Sequence, residues 1–220
     1  MKFKAVLFDC DGVLVDSEAI TCGALRDMLQ EAGWTLTLQE CMAHFVGHTV
    51  RNRRVLIEAN TGQALTDEFM NEFYRRRNEK LATDITPIAH IHMAVQFAFE
   101  ALNGNIACAS GADRFKVNLM LQKVGLLPWF DGRIFSGHEV PQTKPAPDVY
   151  LAAAAHLGVN PAHCLAVEDT PIGVAAGVAA GAEVWGYAEH GQGDTLLAAG
   201  ATQVMTCMSE LPTLLAKRIG

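Results

Sequence analysis

AVLFDCDGVLVDSE, residues 5–18, sets a short apolar run against four acids, Asp9, Asp11, Asp16 and Glu18. Ala5–Phe8 has the length and character of a buried strand, and it stops at Asp9-Cys10-Asp11-Gly12. In an open parallel sheet, ligands collect beyond the carboxyl ends of the strands, where Asp9 and Asp11 would fall. Two carboxylates two residues apart repel unless positive charge lies between them. A hard divalent cation with oxygen ligands meets that need, Mg2+ first among them. Gly12 permits the sharp turn that aims both acids at one point. Taken alone, the stretch also reads as an acidic turn capping the next helix.

Similar apolar bursts recur at Ile106–Ala109, Arg133–Ser136, Cys164–Val167 and Glu183–Gly186. Between them lie Asp113–Val124, Asp148–Leu157 and Ile172–Ala180, each with helical spacing. Short buried strands alternating with helices predict an α/β fold with a parallel sheet. The alternation breaks between the first two bursts. From about Ser17 to Asp84 only helical candidates stand: Ala19–Glu31, Val50–Ala59 and Asp67–Leu81, punctuated by Gly33, Gly47 and Gly62. A helical insertion after the first strand is the simplest reading. Pro87 marks the return, since the residue before a proline resists helix.

Other strand ends carry polar groups. Val167-Glu168-Asp169 closes a second strand with two acids, which can converge with the first pair on one metal, although Asp169 alone could be a helix N-cap. The glycines of PIGVAAGVAAG, 171–181, read as close helix packing rather than a phosphate cradle. In TKPAPDVY, 143–150, Lys144 stands before two prolines in a rigid loop leading to a helix. There it could neutralise a phosphate and a nucleophilic carboxylate, or be a plain surface lysine. In IACASGAD, 106–113, Ser110 and Gly111 end a strand, where a hydroxyl and backbone N–H groups can bind phosphate oxygens, or merely turn the chain.

Composition narrows the classes. The 220 residues are half hydrophobic, enough for one sizeable core or a core with a smaller partner. A net charge of −7 argues against nucleic acid as a partner. No apolar stretch reaches membrane-spanning length, and MKFKAVLFDCDG reads as a strand rather than a signal peptide. None of the six cysteines stands in C-x-x-C spacing, so reduced thiols in a cytoplasmic protein are expected. His90 and His92 look like a metal pair only superficially, with no acid or cysteine ligand nearby in sequence.

Taken jointly, the four polar strand ends resemble, in order and position, the motifs of the haloacid dehalogenase superfamily of phosphohydrolases. DCDGVLVDSE looks like the first motif, DxDGxLxDS. Ser110 matches the second-motif hydroxyl, Lys144 the third-motif lysine, and Glu168-Asp169 the fourth-motif acids. The likeness spans nearly the whole chain and is nearest to the β-phosphoglucomutase-like branch, within it to small sugar-phosphate phosphatases such as 6-phosphogluconate phosphatases. It implies a Rossmann-like core, 1–16 and 85–220, with a C1-type helical cap, 17–84, inserted after the first strand.

The resemblance also implies roles. Asp9 would be the nucleophile, forming an aspartyl-phosphate, and Asp11 the general acid and base. Mg2+ would be held by Asp9, the Asp11 carbonyl oxygen and Asp169, with Glu168 orienting a metal-bound water. Ser110, Gly111 and Lys144 would hold the transferring oxygens. In the cap, Gly47, His48, Thr49, Arg77 and Asn78 are the expected substrate readers. Arg51, Arg53, Arg54, Arg75 and Arg76 accompany them, but helical geometry cannot aim consecutive residues at one place. Thr21 stands where a mutase carries a cap-side His, which disfavours mutase chemistry. Retention of Asp11 departs from dehalogenases, and Lys80, the only cap lysine, is misplaced for a phosphonate hydrolase. The expected activity is a phosphatase for a small phosphorylated metabolite, acting as a monomer. The alternatives are a phosphosugar mutase and a non-catalytic phospho-ligand sensor.

Overall fold

The computed structural model describes residues 3–189 and 191–219. The chain divides into two compact units, Met1–Val15 with Pro87–Gly220, and Asp16–Thr86. It crosses between them at two short strands, β2 (Val15–Asp16) and β3 (Thr86–Pro87).

The first unit is built on six parallel strands: β1 (Ala5–Phe8), β4 (Ile106–Ser110), β5 (Ile134–Ser136), β6 (Cys164–Glu168), β7 (Glu183–Tyr187) and β8 (Gln203–Met205). Their order across the sheet is β5-β4-β1-β6-β7-β8. Every residue of β1, β4 and β6 is buried. Parallel strands covered on both faces read as continuous apolar runs, which is why AVLF, IACAS and CLAVE show no alternation. Large side chains such as Leu7 and Phe8 contribute about 1.5–3 kcal/mol each on burial.

Among the described residues, six α-helices belong to this unit: α5 (Ile91–Ala101), α6 (Arg114–Lys123), α7 (Asp148–His156), α8 (Pro171–Ala179), α9 (Gly193–Ala198) and α10 (Glu210–Ile219). Alanine-rich α7 and α8 pack with β1, β4, β6 and β7 into a core that includes Val149, Tyr150, Ala153, Val174 and Ala176. Small residues let helix and sheet approach closely. A Cβ on Gly177 would stand 2.7 Å from Val184 Cγ2, so the packing reading of that glycine holds. β8, α5, α9 and α10 lie beyond the elements read from the sequence. His92, on α5, bonds through Nε2 to the Val124 carbonyl (2.8 Å).

The second unit is helical: α1 (Glu18–Glu31), α2 (Leu38–Phe45), α3 (Arg54–Thr61) and α4 (Asp67–Asp84), with a 3-10 turn at Arg51–Arg53. Leu25, Leu29, Phe45, Ile57, Met70 and Phe73 form its core. A capping box starts α2: Thr37 Oγ1 accepts from Glu40 N (3.2 Å) and Glu40 Oε2 accepts from Thr37 N (2.8 Å). Most of its arginines pair with acids of the same unit, and Arg75 and Arg76 share Glu72. Arg75 pairs with Glu72 and Glu79, Arg76 with Glu31 and Glu72, Arg51 with Asp67, and Arg54 with Glu58. Most of these contacts are solvated and worth little. Arg77 is different: it is 6% exposed. No helix among the described residues is long and apolar enough to cross a membrane.

Candidate active site

Strand register assembles the site. Phe8 pairs with Cys108 on one side and with Val167 on the other, so Asp9, just past β1, stands level with Ala109 of β4 and Glu168, the last residue of β6. Asp9 N still donates to the Val167 carbonyl (3.0 Å), which fixes where the acid begins. The chain then turns back on itself. Gly12 N donates to Val15 O (2.8 Å), and Gly12 has φ +76°. A Cβ on Gly12 would be driven into the Asp169 carboxylate. Glycine is thus required twice there, by the left-handed backbone and by the close approach.

Lys144, in the loop between β5 and α7, joins the strand ends. Its Nζ donates to Asp9 Oδ1 (2.5 Å), Glu168 Oε1 (2.6 Å) and the Ala109 carbonyl (2.8 Å). The Tyr150 hydroxyl donates to Glu168 Oε1 (2.5 Å), and its ring centre lies 4.8 Å from the Lys144 ammonium. Glu168 Oε2 accepts from Asp169 N (3.2 Å) and Thr170 Oγ1 (3.4 Å). Thr170 also caps α8, accepting from Gly173 N (3.1 Å). A Cβ on Gly173 would collide with the Glu168 carboxylate, so this glycine serves the site as well as the packing.

The electrostatics follow from burial. Asp9, Glu168 and Asp169 are 7%, 1% and 8% exposed. Burial pushes the Asp9 carboxyl up to about 7; Lys144 opposes the rise, and the charges of Glu168 and Asp11 add to it. Burial alone would pull the Lys144 ammonium down, but the Asp9 and Glu168 carboxylates outweigh it and hold it well above its usual range. Each of the three acids offers an oxygen within 4.8 Å of the others. Three carboxylates against one ammonium leave an excess of negative charge in a buried space, and the donors are all hard oxygens. Such a group can hold a divalent cation.

The remaining expected residues fall in separate places. Ser110 Oγ accepts from Ala112 N (3.0 Å), and the Ser110 carbonyl accepts from Gly137 N (2.7 Å). Gly111 lies so close to Gly137 that a Cβ on the latter would stand 3.1 Å from Gly111 Cα. Ser110 thus ends β4 beside Ala109, whose carbonyl Lys144 holds. The Asp11 carboxylate does not join the three-acid group; Lys116 Nζ donates to its Oδ1 (2.5 Å). In the helical unit, Gly47 (φ +76°) and His48 lie in the turn after α2, and Thr49 Oγ1 accepts from Asn52 N (3.2 Å). Burial and the nearby Arg53 hold the His48 imidazole below its usual range. On α4, Arg77 stacks on Tyr74 (4.8 Å) and donates to Asn78 Oδ1 (2.8 Å).

Three residues of this site escaped the sequence reading: Tyr150, Thr170 and Lys116. Tyr150 has the spacing of a core aromatic in α7. Thr170 stands before Pro171 with Gly173 three residues on, a legible cap signal. Lys116 sits in the first turn of α6, where a lysine opposes the helix dipole; that misfit was its only local sign.

Comparison with known proteins places this geometry. The model of the haloacid dehalogenase-like hydrolase family matches residues 3–181. The chain is 29% identical over 213 residues to the 6-phosphogluconate phosphatase of Escherichia coli K12, covering 97% of this chain and 95% of that one. It is 29% identical over 196 residues to hexitol phosphatase A of the same organism, covering 84% and 82%. A haloacid dehalogenase family hydrolase from Deinococcus radiodurans R1, solved with bound phosphate and sodium, is 32% identical, with a TM-score of 0.81 over 99% of this chain and 96% of that one. The chain belongs to the haloacid dehalogenase-like hydrolases and is a phosphoric monoester hydrolase.

Proposed function

We propose that the chain is a Mg2+-dependent phosphatase that hydrolyses a small sugar phosphate or sugar-acid phosphate through an aspartyl-phosphate on Asp9. The observation that carries this reading is Lys144, bridging Asp9 and Glu168 at adjacent strand ends with Asp169 alongside. Asp9 and Asp169 would hold the cation, with the Asp11 carbonyl oxygen as the further ligand that family resemblance implies and Glu168 alongside them. When bound, the cation supplies positive charge that offsets the repulsion between carboxylate and phosphate.

Asp9 attacks phosphorus in line, and the bond to the leaving sugar oxygen breaks as Asp11 gives that oxygen a proton. Water then attacks the aspartyl-phosphate while Asp11 takes back a proton, which frees Asp9 and releases inorganic phosphate. Lys144 and Ser110 hold the oxygens over which the charge of the transferring group spreads. The relatives named as 6-phosphogluconate and hexitol phosphatases support the sugar-phosphate class. The test is a panel of phosphosugars with Mg2+, read for both inorganic phosphate and isomer. Phosphate release without isomer is expected; isomer without net phosphate would replace hydrolysis by mutase chemistry.

Excess chelator should silence the enzyme and Mg2+ restore it; full activity in chelator would remove the metal from the reaction. Asp169→Ala should raise the Mg2+ midpoint of activity by about tenfold or more, since loss of a supporting residue alone typically costs that much. An unchanged midpoint would exclude Asp169 as a ligand.

The substrate's far end carries a separate prediction. Arg77 suits a carboxylate, because its planar fork bonds both oxygens. 6-Phosphogluconate should therefore be turned over in preference to glucose 6-phosphate. Arg77→Ala should lower kcat/KM for the acid by roughly tenfold more than for the neutral sugar, the worth of one charge-assisted contact. If both fall equally, Arg77 serves only its stack on Tyr74 and its bond to Asn78.

A further inference from the structure

We infer that Lys116 is the positioning residue for Asp11, and that the acid–base chemistry of the site depends on their contact. The inference rests on the reading of Asp11 as the general acid and base. Lys116 is an improbable residue for its place. It is the third residue of α6, whose start is fixed by Asp113 Oδ1 accepting from Lys116 N (2.9 Å). The exposed N–H groups of a helix start favour anions there, not an ammonium. Its side chain is also 8% exposed, so a long cation is both ordered and withdrawn from water. Neither cost has a return in apolar packing that leucine or methionine would not give better. The return lies at the tip, where Nζ meets Asp11 Oδ1 at 2.5 Å, 105 residues away in sequence.

The two acids of the first strand end thus each have a lysine. Lys144 serves Asp9 and Glu168, while Lys116 serves Asp11. This division draws the Asp11 carboxylate away from the three-acid group while leaving it 26% exposed to an incoming ligand. The backbone at Asp11 is pinned by its bridge to Val15. The side-chain torsion is what Lys116 fixes, and a general acid must lie within hydrogen-bond reach of the oxygen it protonates.

A double-mutant cycle on p-nitrophenyl phosphate and a sugar phosphate tests this. Lys116→Met should lower kcat for the sugar phosphate by about 10- to 100-fold, with KM and the Mg2+ midpoint within about threefold of wild type. Lys116→Arg should recover at least half of that loss on a logarithmic scale. In an Asp11→Asn background, Lys116→Met should cost less than about twofold, because the group it positions is already disabled. A full cost in that background, or a Lys116→Met enzyme within threefold of wild type, would overturn the inference. An Asp11→Asn single variant within threefold of wild type would instead overturn the role of Asp11 itself. If Lys116→Met does not fold, Lys116→Gln carries the same cycle, and thermal melts establish which variants enter it.

Discussion

Asp9→Asn gives a folded protein whose turnover falls by at least about ten-thousand-fold, because an amide is not a usable nucleophile and no other carboxylate takes its position. The fold should survive. Asp9 is buried beside Glu168 and Asp11, and its replacement by a neutral isostere removes negative charge from a crowded place. Lys144 keeps Glu168 as a partner. The melting temperature in chelator should accordingly be no lower than that of wild type. Activity within a hundredfold of wild type in a verified preparation would remove Asp9 from the chemistry. A lowered melting temperature would show instead that the acid is a structural tie.

The second large effect belongs to Lys144→Met. Removing one partner of a buried ion pair costs more than the pair itself contributes, about 3–5 kcal/mol, since the survivors are left uncompensated. Here two carboxylates, Asp9 and Glu168, would lose the ammonium that separates them, and Tyr150 would be left as a donor to Glu168. Urea unfolding in chelator should show that loss, and saturating Mg2+ should restore part of it by binding the folded acids. Turnover should drop by about a hundred- to a thousandfold even with Mg2+, because the charge developing on the transferring oxygens loses a placed cation. A stability change under 1 kcal/mol would mean that the acids neutralise themselves by taking up a proton. Activity within tenfold of wild type would remove Lys144 from the reaction.

Much of this arrangement was legible in the chain because its signals are local. AVLF, IACAS and CLAVE are too apolar and too short for anything but covered strands, and the acids, serine and glycine behind them mark the strand ends directly. The five bursts read from the sequence fall on β1, β4, β5, β6 and β7 to within a residue at each end. What escaped is non-local or weakly patterned. Gln203–Met205 is a three-residue edge strand with a partly exposed face, so no apolar run announces it. α2 spans only eight residues, too few for a clear apolar repeat, so the Thr37–Glu40 capping box is the signal that the sequence carries for it. Lys116 lies in RFKVNLMLQK, where a lysine among mixed residues resembles a solvated helix face. Only the folded sheet, which brings the start of α6 to the loop after β1, gives it a partner. Tyr150 was hidden for the opposite reason: it is core, as its spacing says, but its hydroxyl reaches the site.

The strand order also governs when the site can exist at all. β1 is the first strand made, yet its neighbours in the sheet are β4 and β6, which begin at Ile106 and Cys164. During synthesis the AVLF strand therefore waits with its β4 edge open until residue 110 has been made and with its β6 edge open until residue 168, when most of the 220-residue chain is complete. Contacts of such long sequence separation, 135 residues between Asp9 and Lys144, make folding slow. An unpaired apolar edge meanwhile invites pairing with another nascent chain. Asp9, the proposed nucleophile, thus directly follows the strand best protected in the finished protein and most exposed while it is being made. Premature termination before Glu168 is made yields a polypeptide with the β6 edge uncovered and the three-acid group incomplete.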